Sequence, residues 1–347
     1  MVQIKRLIYL FLILSIFTVQ AFASGQNRAG TSAAPELRIP VGARFLAMSG
    51  ASIASVNGLE SIYWNPAGVD VVNTSASALF SSRSYIADMT MNFIAVSGKI
   101  GGLGSIGLSF RNLNIGDINV TTLNQPDGTG AKFSPTNFVI GLTYSKQLTD
   151  RISVGVNFNL INESFDRASA SGLGFDIGVQ YRNLFSVKDL DLGVVVKNLG
   201  GSMTYGGNAL FVNAEDPSSS RGPTWYKFDA ASANLPSEIS IGLSYKGQID
   251  EKNSVYFATS FQNNNYTYDN YRVGFEYSYD DIFFVRAGYT FTPQSTNNTP
   301  YIFEDYTLGA GFNLKKLSNF DLSVDYAYVP AQYFSANNVF SIRVGFW

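Results

Sequence analysis

From about residue 75 onward, short segments alternate large apolar side chains with small or polar ones, and this alternation constrains the chain more than any other feature. Phe138, Ile140, Leu142 and Tyr144 enclose Gly141 and Thr143, with Ser145 next. Ile152, Val154, Val156, Phe158 and Leu160 enclose Ser153, Gly155, Asn157 and Asn159. Leu173, Phe175, Ile177, Val179 and Tyr181 enclose Gly174, Asp176, Gly178 and Gln180. The pattern returns at 239–245, 255–261, 271–277, 283–291, 306–314, 320–328 and 340–346, and more weakly at 75–84, 91–99, 104–111 and 190–198. Successive side chains of a strand point to opposite faces, so each segment reads as a strand with one greasy and one small or polar face. The spacing predicts fourteen strands.

A soluble sandwich would hide the greasy face and cover the other with Lys, Glu and Arg. Here the second face carries mostly Gly, Ser, Asn and Thr, and charged residues are 14% of the chain against ~25% in ordinary soluble proteins. The greasy positions of the ten clear strands carry no charge, as expected where a charge facing lipid costs ~2–4 kcal/mol at mid-bilayer. Backbone groups in hydrocarbon must all be paired within the protein, which a sheet achieves only by closing on itself. The expected fold is an all-β, fourteen-stranded antiparallel transmembrane barrel of the outer membrane, embedded in its lipids.

Connections near 101–102, 147–150, 247–251, 280–281 and 315–317 are short, and those at 112–135, 162–171, 199–236, 292–304 and 330–338 are expected to be long. Short turns on one side and long loops on the other suit such a barrel, the short ones facing the periplasm. Tyr144, Tyr181, Tyr245 and Tyr277 fall near the short-turn side, and Phe291, Tyr306 and Tyr328 near the long-loop side, as two aromatic girdles would. The last strand closes on Phe346, with Trp347 out of phase. It resembles the terminal signal read by barrel-insertion machinery.

Residues 1–23 read as a secretory signal peptide: Lys5 and Arg6, an apolar run from Leu7 to Val19, then Ala21-Phe22-Ala23 at the cleavage site. The apolar run is too short to cross a bilayer comfortably, which takes ~20 residues. The chain has no Cys and no His, so disulfides and thiolate chemistry are excluded and the commonest general base and metal ligand are missing. Lys and Arg total 24 against 26 Asp and Glu, which leaves no basic excess for nucleic acid. No enzyme activity, metal or cofactor is expected.

Residues 24–72 do not alternate. The small-residue stretch 42–54 is expected to form a short helix, and the whole segment to act as a plug ahead of the barrel at 73–347. Gly42, Arg44, Met48 and Gly50, followed by Trp64-Asn65-Pro66-Ala67, resemble the N-terminal signature of the PorV/PorQ family, within the FadL-like group of fourteen-stranded outer-membrane barrels. The family pattern usually has a further Gly where this chain has Ser49. The PorV branch implies a role in type IX secretion, holding exported proteins by their C-terminal signal domains. The FadL branch implies a plug-gated channel for hydrophobic small molecules. A purely structural barrel whose loops bind partners is a third reading. The Trp-Asn-Pro-Ala form favours the first, with secretion-machinery proteins as partners.

Inward positions carry Asp176, Arg272, Glu276, Arg286, Asp321, Asp325 and Arg343. They are expected to brace the plug, with Arg38 or Arg44 as partners, more than to line a polar passage. Asp321 and Asp325 have the spacing of an acid/base pair, but nothing nearby supplies a nucleophile or cleft. The Gly101-Gly102-Leu103-Gly104 run lies between strands and reads as a turn, and the oxygen-rich loop 124–130 lacks the spacing of a calcium loop. Trp225, Tyr226 and Phe228 are large apolar residues in the longest loop and are the candidates for surface contact.

Overall fold

The computed structural model describes residues 28–72, 74–215, 218, 222–293, 302–303, 305–315 and 321–347. The signal peptide (1–23) and the start of the 24–72 segment lie outside the described residues.

Fourteen long strands follow one another: β1 Ala76–Ser84, β2 Thr90–Lys99, β3 Ser105–Asn114, β4 Thr136–Gln147, β5 Ile152–Phe165, β6 Ala168–Tyr181, β7 Leu190–Gly200, β8 Glu238–Gln248, β9 Asn253–Asn264, β10 Asn270–Tyr279, β11 Phe283–Phe291, β12 Tyr306–Asn313, β13 Asp321–Val329 and β14 Asn337–Phe346. Each pairs antiparallel with its chain neighbours, β6 joins β7, and β14 returns to β1, with Phe80 opposite Ile342. The sheet therefore has no free edge, which is the only way strands satisfy their backbone in hydrocarbon.

Register puts the greasy side chains on one surface. Phe80 faces Ile94, Ile94 faces Phe110, Phe110 faces Ile140 and Ile140 faces Leu160 across successive strands, all of them exposed on the outside of the barrel. These side chains form the lipid belt.

The inner surface is not uniformly polar, which corrects the expectation of a greasy and a water-loving face throughout. Leu79, Met91, Phe93, Ala95 and Leu113 point inward from β1–β3, as do Ala327, Val329 and Val339 from β13 and β14, and all are buried against residues of the 28–72 segment. This explains the weak alternation of the first strands: both of their faces are apolar, one toward lipid and one toward the inner segment.

Two other expectations need correction. The long loop expected at 162–171 is a tight turn at 166–167, because pairing continues from Asn162 opposite Ser171 to Phe165 opposite Ala168. Beyond the lipid belt water accepts polar residues on both faces, so a strand continues after its alternation has ended. Of the seven connections at that end of the barrel, those at 85–89, 166–167 and 265–269 are short. The asymmetry lies in a few excursions, the largest being 115–135 and 201–237. The expected helix over 42–54 is one turn, Ala43–Leu46, with a second at Ser61–Trp64. Ser49 and Gly50 take φ of 53° and 73°, a left-handed conformation that ends a helix.

Candidate functional site: the inner segment and its seat

The 28–72 segment lies within the barrel and touches its wall on several sides. Much of its seat is made of glycine. An ideal Cβ at Gly155 would run into the Pro66–Ala67 backbone, at Gly178 into Asn65, at Gly193 into Ala54, at Gly274 and Gly288 into Met48 and Ser49, and at Gly309 into Ala47. These glycines face inward from β5, β6, β7, β10, β11 and β12. Their missing side chains are the space into which the segment fits.

The residues singled out from the segment sit at its joints. Gly42 has φ of 84° at the start of the Ala43–Leu46 turn, and a Cβ there would meet Glu60 Oε1 at 2.6 Å. Met48 is fully buried over Gly274. Gly50 leaves room for the Trp64 ring, whose Nε1 donates to Val41 O at 3.0 Å. Asn65 Oδ1 accepts from Ala67 N (3.2 Å), capping the 3-10 turn Pro66–Val71, while its Nδ2 donates to Ile53 O (2.9 Å) and to Val179 O of the wall (3.3 Å). Asn65 thus ties two parts of the segment to β6, and Pro66 suits the first position of the turn it opens. Ser145 Oγ on β4 donates to Ala67 O at 3.0 Å. Ser49 adopts the left-handed conformation with its Oγ 3.0 Å from Thr307 Oγ1.

The inward charges separate into groups. Arg286 Nε contacts Glu276 Oε2 at 2.5 Å and its Nη1 contacts Asp325 Oδ1 at 2.6 Å, while Arg44 of the segment reaches Glu276 Oε1 at 3.4 Å. Arg343 donates to Ser323 Oγ at 2.8 Å and lies 3.8 Å from Asp321. Asp321 and Asp325 thus belong to different arginines. Asp176 accepts from Asn157 and Asn159 side chains at 3.0 and 2.9 Å and from Asn198 N at 2.7 Å, at a bulge where Asn198 has φ of 57°. Arg272 and Arg38 have no hydrogen-bond or ion-pair partner among the described residues, so of the two candidate segment arginines only Arg44 joins the wall acids.

Sequence reading missed the acids inside the segment. Glu60 is buried beside Asp325, Arg343, Arg44 and Arg286, and its Oε1 has no hydrogen-bond partner. Burial first, then Asp325, pushes its carboxyl up to about 7 against the pull of the arginines. Glu36 is also raised to about 7, by burial and by the neighbouring Glu163 of β5. Neither lies in an alternating strand, so parity gave no signal for them. Lys197 and Glu238, paired at 3.2 Å, were legible only as the inward ends of β7 and β8.

Two cavities flank the segment, lined mainly from β7–β11, the larger also by Arg83 of β1, Thr307 of β12 and Val329 of β13 and the smaller by Gln180 of β6. One of about 410 Å³ lies toward the long-loop end and one of about 340 Å³ toward the short-turn end, and they share no lining residue. Outside the barrel, Trp225 and Tyr226 lie on a two-stranded hairpin pairing Phe211–Ala214 with Thr224–Lys227, and Phe228 follows. Trp225 and Phe228 are 67% and 62% exposed. The 101–104 run forms a turn between β2 and β3, and 122–125 forms another.

A closed fourteen-stranded barrel with a lipid belt and a packed interior defines an outer-membrane β-barrel. Solved structures show the same fold. The CymD monoaromatic hydrocarbon channel superposes with a TM-score of 0.55 at 14% identity, covering 89% of this chain and 98% of that one. A FadL homologue of Pseudomonas aeruginosa gives 0.53 at 12% identity over 88% and 98% of the two chains. The Pseudomonas putida toluene transporter TodX gives 0.50 at 12% over 86% and 96%. At such identities the likeness is one of fold. The family described as "Type IX secretion system protein PorV" matches residues 22–207, more than half of the chain, and this protein belongs to that family. It is therefore an outer-membrane protein of a secretion family. No curated protein matches it significantly.

Proposed function

We infer that this barrel serves type IX secretion as a non-enzymatic factor. It holds exported proteins, through their C-terminal signal domains, at the long-loop end, which faces outward. The membership of the PorV family carries the reading. The geometry is consistent with it. The inner segment acts as a plug seated on wall glycines, and the exposed apolar hairpin at 211–228 offers a protein contact beyond the membrane. Trp and Phe held in water at such exposure are typical of contact residues.

The alternative, passage of hydrophobic small molecules, takes its support from the fold shared with hydrocarbon channels and from the partly apolar cavity beside the plug. Pull-down from detergent-solubilised outer membranes separates the two. Secretion components and exported C-terminal domains should co-purify, and the double change Trp225→Ala with Phe228→Ala should reduce their recovery without altering barrel stability. Recovery of no protein partner, together with uptake of lipophilic compounds by liposomes carrying the barrel, would overturn the export reading.

A further inference from the structure

The excursion at 201–237, which carries the exposed hairpin, is rooted on the inner segment. Its two legs pair with each other at Ser202–Met203 and Ala233–Asn234, and Ala33 N of the segment donates to Asn234 O at 2.9 Å. Met203 and Leu235 of the legs, Ala33 and Leu37 of the segment and Ile161 of β5 belong to one buried apolar cluster, against which Tyr205 packs. Beside this cluster the segment sets a carboxyl group. Glu36, in the 3-10 turn Pro35–Arg38, is 2% exposed, and neither of its oxygens has a hydrogen-bond donor among the described residues. It faces the carboxyl group of Glu163 on β5, also buried, within reach of a hydrogen bond. Tyr205 of the excursion donates its hydroxyl to Glu163 Oε2 at 3.0 Å. Arg111 of β3 is the other charged group near Glu36 among the described residues, and its Nη1 donates to Leu37 O at 3.4 Å. Two ionised carboxylates held together away from water repel, and neither can donate to the other. One proton between them turns that repulsion into a charge-assisted hydrogen bond.

We propose that Glu36 and Glu163 form a proton-held latch, which with Tyr205 fastens the excursion and the start of the inner segment to the barrel wall and releases both when the proton is lost. One carboxyl comes from the segment, the other from the wall and the hydroxyl from the excursion, so a single proton joins three parts distant in the chain. The raised value of Glu36, about 7 against an ordinary 4.5, gives the range over which the latch weakens. Closed, the pair keeps its proton up to about 7; opened to water, Glu36 titrates as an ordinary carboxyl near 4.5. The hold is therefore complete below about pH 4.5, falls as pH rises to about 7, and is weakest above that. Whatever draws the excursion outward works against the same contacts and so favours loss of the proton, by reciprocity. The latch does not depend on which partner the hairpin takes.

The test uses the absence of cysteine from the chain. Ala33→Cys in the segment and Ala233→Cys in the excursion each place a single thiol at the root, and Leu123→Cys supplies a fully exposed reference. Maleimide labelling is followed on the full barrel in a non-ionic detergent. Each rate is divided by that of the reference at the same pH, because thiolate reactivity itself rises with pH. The normalised rate at both positions should rise by about 10-fold per pH unit up to about pH 7 and level off above it. Folding of each variant is checked by heat-modifiable gel mobility.

Added to these backgrounds, Glu36→Gln can donate to Glu163 at any pH. It should abolish the rise and slow labelling at pH 8 by at least ~10-fold at both positions. Glu163→Gln should likewise abolish the rise. Tyr205→Phe should keep the shape of the profile and speed labelling by about 5-fold, the loss of one hydrogen bond. Glu60→Gln removes a second acid raised to about 7 and should leave the profile as it is, which separates local opening from loosening of the whole barrel. The proposal is overturned if the normalised rates do not change with pH, or if the folded Glu36→Gln and Glu163→Gln variants keep the parent's profile. It is equally overturned if Glu60→Gln flattens the profile as fully as they do, or if position 33 responds to pH and position 233 does not.

Discussion

The two halves of the barrel interior are built differently. Along β1–β3, β13 and β14 the wall meets the inner segment with interlocked apolar side chains, and along β4–β6 it does so through Gly155, Gly178 and the hydrogen bonds of Asn65 and Ala67. Along β7–β11 the segment touches the wall at Gly193, Gly274 and Gly288, with a cavity toward each end of the barrel, the long-loop one reaching across to Arg83 of β1 and Val329 of β13, and Arg44 of the segment meets Glu276 there. Close packing fixes the segment on one side. The other side keeps space and charge.

Substitutions on the two sides should therefore cost different amounts. The largest effect is expected at the ionic cluster. Arg286→Ala leaves Glu276 and Asp325 buried without their main counter-charge and should destabilise the folded barrel by about 3–5 kcal/mol in urea titration. Next comes overpacking of the tight half. Gly155→Leu drives a side chain into the Pro66–Ala67 backbone and should cost about 1–3 kcal/mol, with the 28–72 segment becoming open to protease. Thr290→Leu points into the long-loop-end cavity and should cost under about 0.5 kcal/mol. Equal penalties for these two changes would erase the distinction between the halves.

A separate effect, read against pH and not by size, is a slope in stability. Glu60 and Glu36 titrate near 7 when folded, against 4.5 as ordinary carboxyls. Between those values the folded protein retains protons that the unfolded chain has released. These groups therefore leave the barrel most stable below about pH 4.5 and weaken it as pH rises to about 7. Glu60→Gln mimics the protonated acid. It should remove about half of that slope and raise stability at pH 8 by ~1–3 kcal/mol. An unchanged slope in urea midpoints from pH 4.5 to 8 would show that Glu60 is ionised throughout.

Much of the wall was legible because lipid imposes a rule on every second residue. Leu142, Phe158 and Ile177 announce their strands and their outward direction with no knowledge of their neighbours. The parity that places them outside also places Glu276, Arg286, Asp325 and Arg343 inside. What parity does not carry is pairing. That Arg286 binds two acids, that Arg343 takes Asp321, and that Arg272 has no acidic partner among the described residues all depend on side chains brought together from β10, β11, β13, β14 and the inner segment. Glu36 and Glu60 gave no signal because their segment has no period against which a buried acid stands out.

The sequence by itself determined the membrane, the number of strands and which face of each meets lipid, because burial in hydrocarbon is enforced residue by residue along the chain. It also marked the joints of the inner segment, since residues such as Asn65, Pro66 and Gly50 act through local backbone geometry. Only the tertiary structure decided which wall glycines receive that segment, where space remains beside it, and which buried charges are answered, because each of these is set by atoms distant in the chain that meet once the barrel closes around its own N-terminal residues.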